Sequence, residues 1–221
     1  MKINLVFNPA LESLFKDPSQ LITFDANLLI SPTRFGKSIN FEKYKTNWLD
    51  PIFDLFPNIS IHEAVYEELV DINSKKYIDS KSSLRIHKDS SLTPLEKILR
   101  NTIESKIAKH TKYLIEEDNK DDRGEVKSLA FLAVKNLIYF ASHDINAINL
   151  IENAEKWETG LDNISSLRLF ELIYYLYNKS DVERKNLKML YKFYYYLTKY
   201  EQSINIGWGD FIKEMDKIYT N

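Results

Sequence analysis

Two aspartates follow short apolar segments of the kind that form buried strands. Asp25 comes directly after LITF, and a single residue, His143, separates Asp144 from LIYFAS. In open α/β sheets, functional side chains gather at the carboxyl ends of the strands. Both carboxylates are therefore expected at one edge of a sheet, and Asn27 shares the face of Asp25 if the strand continues. This arrangement predicts an acid-lined cleft.

Two glutamates lie in segments with helical spacing of apolar residues. The segment ISIHEAVYEEL indicates a strand that runs into a helix, with Glu68 beside the buried side of that helix. Glu125 lies in the first turn of a second predicted helix, where the helix dipole favours a carboxylate. Asp122 and Glu125 also have the spacing of a capping box, so a capping role is an open alternative.

Strands and helices must alternate to position these acids. The predicted strands are LITF, NISI, NLIYFAS and GLDNIS, the last at residues 160–165. Helix starts are predicted at Thr93, where a proline and a glutamate complete a capping box, and at Ser180. The alternation predicts a three-layer α/β sandwich in which a mainly parallel sheet is flanked by helices.

Length and composition favour one domain over residues 1–221, with a helical insertion at 71–119 and a C-terminal helical extension at 180–221. The 221 residues are 44% hydrophobic, which suffices for one sizeable core. The absence of cysteine excludes disulfides, thiol nucleophiles and thiolate metal sites. Lys135 and Asn136 interrupt the most apolar stretch, and no signal peptide is recognisable, so we expect a cytoplasmic protein with no membrane contact.

Four short fragments carry a resemblance to a known family. FDANLLI at 24–30, VYEEL at 65–69, RGEVKSLA at 123–130 and SHDINA at 142–147 resemble, in this order, the acidic motifs of the PIN domain family. Residues 161–177 are similar to the last strand and following helix of that family, so the match covers about residues 21–177. The resemblance implies a small parallel-sheet α/β sandwich and metal-dependent cleavage of RNA or another nucleic acid.

The resemblance also implies a set of site residues. Asp25, Glu68, Glu125 and Asp144 would be catalytic ligands of Mg²⁺ or Mn²⁺, directly or through water, with Asn27 and Ser142 supporting them. Glu67, Asp121 and Asp122 are neighbouring acids, and a shift of one residue in either motif would reassign the ligand.

Electrostatics explains why such a cluster needs a cation. Four converging carboxylates repel one another, so at least one stays protonated near neutral pH unless a cation lies between them. Mg²⁺ and Mn²⁺ favour oxygen ligands and retain waters. A bound ion of this kind orients and acidifies a water for attack on a phosphodiester.

Basic groups outside the cleft must offset phosphate repulsion by these acids. Residues 75–112 contain ten Lys or Arg and four acids. The apolar positions after Thr93 follow the helical period and predict a buried face that leaves the basic side chains mostly on other faces. The predicted RNA-binding residues of this segment are Lys97, Arg100, Lys109 and Lys112. A second candidate is Arg184, Lys188 and Lys192, spaced four apart.

Three functions remain as alternatives. The first is a metal-dependent ribonuclease acting on single-stranded or structured RNA; for it the family implies a toxin–antitoxin role, an antitoxin protein as partner and a homodimer. The second is a catalytically inactive PIN-like module that binds RNA or protein. The third is a nucleotide-binding protein using Gly36-Lys37-Ser38, which resembles the end of a P-loop, although Ser31 stands where the first glycine belongs.

Overall fold

A five-stranded parallel sheet forms the centre of the computed structural model, which describes residues 2–219. The strands are β1 Ile22–Phe24, β2 Thr33–Arg34, β3 Lys37–Ser38, β4 Ile59–His62, β5 Arg85–His87, β6 Tyr139–Ser142 and β7 Ser165–Arg168. The spatial order of the central sheet is β5-β4-β1-β6-β7. Strands β2 and β3 form a separate antiparallel hairpin.

Thirteen α-helices connect and cover the strands within the described residues. They are α1 Pro9–Lys16, α2 Phe41–Tyr44, α3 Asp50–Leu55, α4 Glu63–Glu67, α5 Ile72–Asp79, α6 Pro94–Ala108, α7 Arg123–Lys135, α8 Ile145–Glu152, α9 Ala154–Trp157, α10 Leu169–Lys179, α11 Arg184–Tyr195, α12 Lys199–Ile204 and α13 Trp208–Tyr219. Short 3₁₀ turns and a π-helical turn join some of them.

Two hydrophobic cores lie on opposite faces of the sheet. Successive residues of β6 show this, since Tyr139 and Ala141 belong to one core and Phe140 to the other. The first core is covered by α1, α3, α10, α11 and α13, and the second by α6, α7 and α8. The structure is therefore a three-layer α/β sandwich with a parallel sheet, which confirms the fold class predicted from the sequence.

The register of the sheet places the ends of β1 and β6 side by side. Phe24 pairs with Ala141, and the Asp25 amide donates to the Ala141 carbonyl at 3.0 Å, one step beyond the end of β1. The first residues after the two central strands therefore meet at the carboxyl edge of the sheet, where ligands bind in folds of this kind.

Three of the four predicted strands are present, and the fourth is displaced. Residues 160–165 form a turn that begins with Gly160 at φ +83°, and β7 starts only at Ser165. Leu161 and Ile164 are apolar because they fill the second core, not because they form a ladder. The capping box at Thr93 is confirmed. The predicted helix start at Ser180 is wrong, since this residue ends α10 and its hydroxyl donates to the Leu176 carbonyl.

The segment 71–119 is not wholly helical. It contains α5 and α6, and also β5, which pairs in parallel with β4 at the edge of the central sheet. The prediction of a helical insertion missed this strand because β5 has only three residues, of which Arg85 and Ile86 are exposed. An exposed edge strand lacks the apolar signal of a buried one.

Residues 181–219 form three helices, of which α11 and α13 pack on the first core. Tyr191, Tyr194 and Tyr195 of α11 are buried there, so this aromatic run serves helix packing. Tyr191 stacks on Phe211 of α13 with ring centroids 4.5 Å apart. None of the helices in residues 2–219 combines the length and the apolar character that crossing a membrane requires.

Candidate metal centre

Asp25 is held rigidly at the carboxyl end of β1. It is 1% exposed. Its Oδ1 accepts a hydrogen bond from the Ala26 amide at 2.7 Å, and its Oδ2 accepts from the Ser142 hydroxyl at 2.6 Å and from the Asn27 side-chain amide. Three donors aimed at one buried carboxyl group fix its rotamer without neutralising its charge.

Asn27 and Ser142 connect the ends of β1 and β6. The Asn27 carbonyl oxygen accepts from the His143 amide at 3.0 Å, and its Nδ2 donates to the Ser142 hydroxyl at 3.0 Å. The same hydroxyl oxygen accepts from the Asp144 amide at 2.8 Å. One small network therefore sets the position of Asp144 relative to Asp25.

Asp144 is the N-cap of α8. Its Oδ1 accepts from the Asn146 amide at 2.6 Å, which is the usual capping bond, and the side chain is half-buried. Oδ2 has no hydrogen bond to the described residues 2–219. The helix start thus places a carboxylate beside Asp25 and leaves one of its oxygens available.

Glu68 follows α4 and reaches the first turn of α7. Its Oε1 accepts from the Gly124 amide at 2.8 Å. A Cβ atom at position 124 would lie 2.6 Å from both carboxylate oxygens, so only glycine allows this approach. The neighbouring Glu67 is exposed and pairs with Arg123 at 2.8 Å. Of the two adjacent glutamates, Glu68 is therefore the one that joins the cluster.

Glu125 lies next to Gly124 in the first turn of α7 and is half-buried. The capping alternative for this region is wrong, because Asp122 has a left-handed backbone with φ +55° and makes no side-chain cap bond. Its Oδ2 accepts from the Lys112 amide instead, at 2.8 Å. Asp121 is exposed. Glu125 therefore has no capping partner to compete with a role in the cleft.

The pKa values of Asp25, Glu68 and Glu125 are raised, in part by neighbouring carboxylates. Burial raises the pKa of Asp25 to about 7, and the charge of Glu68 and then of Asp144 adds to the rise. Burial and the charge of Glu125 raise the pKa of Glu68 to about 7. Burial and the charge of Asp25 raise the pKa of Glu125 to about 8, with a further contribution from Asp144.

The four acids do not form a compact set of ligand atoms. No three of the four bring ligand atoms within 4.8 Å of one another, since the described residues contain a single group that does, His62, Glu63 and Asp89. An ion held by all four acids would therefore need water between itself and some of the carboxylates, which is compatible with Mg²⁺ because this ion keeps several of its waters. Within residues 2–219, none of the four cleft acids forms an ion pair with a protein cation.

The tighter group at the ends of β4 and β5 already contains a protein cation. Asp89 forms a salt bridge with Arg100, with 2.8 Å between Oδ2 and Nη2. Its Oδ1 lies 3.3 Å from Nε2 of His62. The other ring nitrogen of His62 accepts from the Ala64 amide, and Glu63 accepts from the Asp89 amide at 2.8 Å. Arg100 therefore supplies a positive charge next to Asp89, although its buried Nε and Nη2 atoms have no hydrogen-bond partner among the described residues.

Arg100 is buried, which corrects its predicted role in RNA binding. It is 7% exposed, and its guanidinium group lies between Asp89 and Glu104. The buried face of α6 contains Arg100, Ile103, Glu104 and Ile107, and the exposed face contains Leu95, Ile98 and Leu99. The predicted apolar face is thus partly turned to solvent, because an internal charge network takes its place against α7. Lys97, Lys109 and Lys112 are exposed.

Replacing Arg100 with glutamine should destabilise the protein by about 3–5 kcal/mol, because the substitution leaves the buried carboxylate of Glu104 and the partly exposed carboxylate of Asp89 without their cation. Urea unfolding would measure this change. The matched variant Lys97→Gln alters an exposed residue of the same helix and should change the free energy of unfolding by about 0.5 kcal/mol or less. Equal, small effects of both variants would contradict the burial of Arg100.

His143 serves packing within the site. Its Nδ1 lies 3.2 Å from the Tyr195 hydroxyl, and its ring meets Tyr194 edge-on with centroids 4.7 Å apart. Burial and the charge of Arg34 lower the pKa of His143 to about 3. The imidazole therefore stays neutral near neutral pH and is not a source of positive charge for phosphate.

The P-loop-like segment forms a hairpin. Lys37 and Ser38 form β3, whereas a P-loop requires a helix to begin there. The next helix begins only at Phe41 and has four residues. This geometry offers no helix N-terminus to a nucleotide phosphate.

Gly124 is the site residue whose importance the sequence analysis missed. It is one of five glycines in the chain and stands directly before a candidate acid at a helix start. That position is the signal that could have identified it, because a glycine in a first helical turn often marks a close approach.

Comparison with protein-family models, with curated proteins and with solved structures found no match to this chain. An assignment of function therefore depends on the four acidic motifs and on the geometry of the cleft.

Proposed function

We propose that this protein is a divalent-metal-dependent ribonuclease of the PIN type. One observation carries the proposal: Asp25, Glu68 and Glu125 have raised pKa values that arise partly from one another's charges and from Asp144, at the carboxyl edge of a parallel sheet. The charge of Arg123 offsets part of this repulsion at Glu68, and a divalent ion would stabilise the remainder. The candidate ion is Mg²⁺ or Mn²⁺.

The residues of the cleft have separable tasks in this proposal. Asp25, Glu68, Glu125 and Asp144 hold the ion directly or through water. Asn27 and Ser142 fix Asp25 and Asp144, and the Gly124 amide fixes Glu68. A bound Mg²⁺ or Mn²⁺ would acidify a water and stabilise charge on the attacking and leaving oxygens of a phosphodiester. The antitoxin partner, the homodimer and the toxin–antitoxin role stay predictions of the resemblance.

Replacing Asp144 with asparagine should reduce Mn²⁺-dependent cleavage of single-stranded RNA by about 100-fold or more, because a ligand charge is lost. Asparagine retains an oxygen that can accept the Asn146 amide, so α8 keeps its cap. Gel analysis of a labelled RNA with and without EDTA measures the rate. The control is Asp181→Asn, which neutralises an exposed aspartate outside the cleft.

Undiminished cleavage by the Asp144 variant would contradict the proposal. If the wild-type protein binds RNA but shows no cleavage and no need for Mn²⁺, the alternative of a catalytically inactive RNA-binding module is the correct one. Circular dichroism shows whether the Asp144→Asn variant is folded. If it is not, the same cleavage test is made with Glu125→Gln.

Without metal, the protein should become less stable as pH rises from about 5 to 8. The three cleft acids lose their protons near pH 4–4.5 in the unfolded chain but only near 7–8 in the folded one, so unfolding releases protons in this window. Mn²⁺ binds the deprotonated carboxylates and should reverse the trend. At 100 times its Kd it adds about 2.7 kcal/mol, or roughly 5–10 °C in Tm.

Thermal unfolding at pH 5 and pH 8, with Mn²⁺ and with EDTA, measures both effects. The Mn²⁺-dependent rise in Tm should be larger at pH 8. An equal rise at both pH values, or none at either, would show that these carboxylates do not bind the ion.

A further inference from the structure

A basic groove runs along the exposed side of α11. We call it the α11 groove; its volume is about 430 Å³, and it is lined by Lys185, Lys188, Met189, Lys192, Phe193 and Tyr196, among others. The lysines are exposed, and the aliphatic and aromatic groups are partly or fully buried between them. The groove therefore combines positive charge with an apolar floor.

The charge of this groove is largely uncompensated. Residues 184–199 contain five Lys or Arg and no acid. Within residues 2–219, Lys188 and Lys192 form no ion pair, and Lys185 pairs only with Glu183, at 2.6 Å. In a chain with a net charge of −2, such a stretch stands out as a surface for an anionic partner.

The last turn of α11 touches the candidate metal centre. The Tyr195 hydroxyl lies 3.2 Å from Nδ1 of His143, and His143 stands between Ser142 and Asp144. Tyr194 also packs edge-on against the His143 ring. The buried side of the last turn of α11 therefore packs against the carboxyl end of β6, while the groove lies on the exposed side of the same helix.

The hairpin of β2 and β3 is fastened to the same turn of α11. The Arg34 guanidinium donates to the carbonyl oxygens of Phe193 at 2.7 Å and Tyr194 at 2.6 Å, and it pairs with Glu201. At the hairpin tip, Phe35 is 70% exposed and has a left-handed backbone with φ +50°. Gly36 has φ +71°, and positive φ values at both central residues are what a two-residue hairpin turn of this kind requires.

An exposed ring on a rigid hairpin suits a nucleic-acid base. Bases stack on aromatic side chains in single-stranded complexes with little dependence on sequence. Lys37, in the same hairpin, is exposed and forms no ion pair within the part of the chain that the structure describes. The tip therefore offers one stacking surface and one further positive charge beside the groove.

The rival basic surface on α6 is less suited to phosphate. Arg100 is occupied by Asp89 and Glu104. The segment that leads from α6 to the cleft, residues 112–122, contains five acids and two lysines. A phosphate chain that approached the cleft over this segment would meet net negative charge, which opposes binding.

We infer that the α11 groove and the hairpin tip bind single-stranded RNA, with phosphates on Lys188 and Lys192 and a base on Phe35. The inference rests on the proposed function, which it deepens by assigning the substrate surface and the strandedness of the substrate. It places recognition in the C-terminal helical extension and the hairpin, both outside the acidic cleft itself.

Fluorescence anisotropy with a labelled 12-nucleotide RNA in EDTA tests this surface without cleavage. Lys188→Gln with Lys192→Gln should weaken binding roughly 10- to 30-fold at 0.1 M salt and reduce the slope of log K against log salt by about 1.4. Phe35→Ala should weaken binding about fivefold or more. The matched double variant Lys106→Gln with Lys109→Gln changes two exposed lysines, one in the last turn of α6 and one directly after it, and should alter affinity less than twofold.

Unchanged affinity in the α11 variant, or a larger loss in the α6 variant, would overturn the inference. Binding of a polyglutamate peptide with the same lysine dependence and equal affinity would also overturn it, and would identify a site for an acidic protein. The Mn²⁺-induced rise in Tm is measured on the same variants and should be unchanged. If Mn²⁺ does not raise the Tm of the wild-type protein, the nuclease proposal is wrong. The RNA affinities of the variants test the groove independently of that result.

Discussion

Replacing Glu125 with glutamine should have opposite effects on activity and on stability. Mn²⁺-dependent RNA cleavage should fall about 100-fold or more, because the ion loses a charged ligand. The metal-free protein should become more stable at pH 8, because a half-buried charge that Asp25 and Asp144 repel has been removed. A rise of one pKa unit corresponds to about 1.4 kcal/mol, and we expect a gain of at least this size.

The pH dependence separates this effect from ordinary repacking. The pKa of Glu125 is raised to about 8 in the folded protein, so near pH 4 the carboxyl group is protonated in the folded state and mostly protonated in the unfolded state, and the two proteins should then have nearly equal stability. Urea unfolding in EDTA at pH 4 and pH 8 measures the difference. A stability gain that persists at pH 4 would show that charge is not its cause.

Glu67→Gln provides the matched control for this experiment. The change is chemically the same, but Glu67 is exposed and pairs with Arg123. Exposed pairs contribute about 0–1 kcal/mol, so stability should fall slightly or stay constant. Cleavage should be retained. Equal losses of cleavage in the two variants would show that the effect is not specific to Glu125.

Replacing Gly124 with alanine should weaken Mn²⁺ binding while preserving the fold. The new Cβ would lie 2.6 Å from both oxygens of Glu68. Those atoms end a flexible side chain, so Glu68 can rotate away and lose its bond to the amide of residue 124. Loss of a group that orients a metal ligand typically costs 10- to 100-fold in affinity, and we expect a loss in this range.

Calorimetric titration with Mn²⁺ measures this affinity, and thermal unfolding in EDTA measures the fold. Alanine is a better helix former than glycine by up to about 1 kcal/mol, so the Tm of the metal-free variant should not fall substantially. The control is Gly209→Ala in α13, where an added Cβ meets no atom within 4 Å. Unaltered Mn²⁺ affinity in the Gly124 variant would exclude Glu68 from the site.

Local signals in the sequence determined the elements that carry the cleft. The apolar runs before Asp25 and Asp144 predicted β1 and β6. Both strands are buried on both faces, so a continuous run of apolar residues marks them in the sequence. The capping box at Thr93 predicted the start of α6 for a similar reason, since the bonds it forms are between residues three positions apart. The three-layer sandwich followed from the alternation of such elements.

Only the tertiary structure decided which charges meet. Arg100 was predicted to be a surface residue of α6, but it is buried where Asp89, in the turn before the helix, and Glu104, four residues later, both contact its guanidinium group. Gly124 has no special role in its own helix, and becomes necessary because Glu68, 56 positions earlier, packs against it. Likewise, nothing in the composition of α11 shows that Tyr195 touches His143, 52 positions away. The helical and strand periods of apolar residues depend on neighbours in the chain. The pKa of a carboxyl group, and whether a basic side chain forms an ion pair, depend instead on which residues the tertiary structure brings near it.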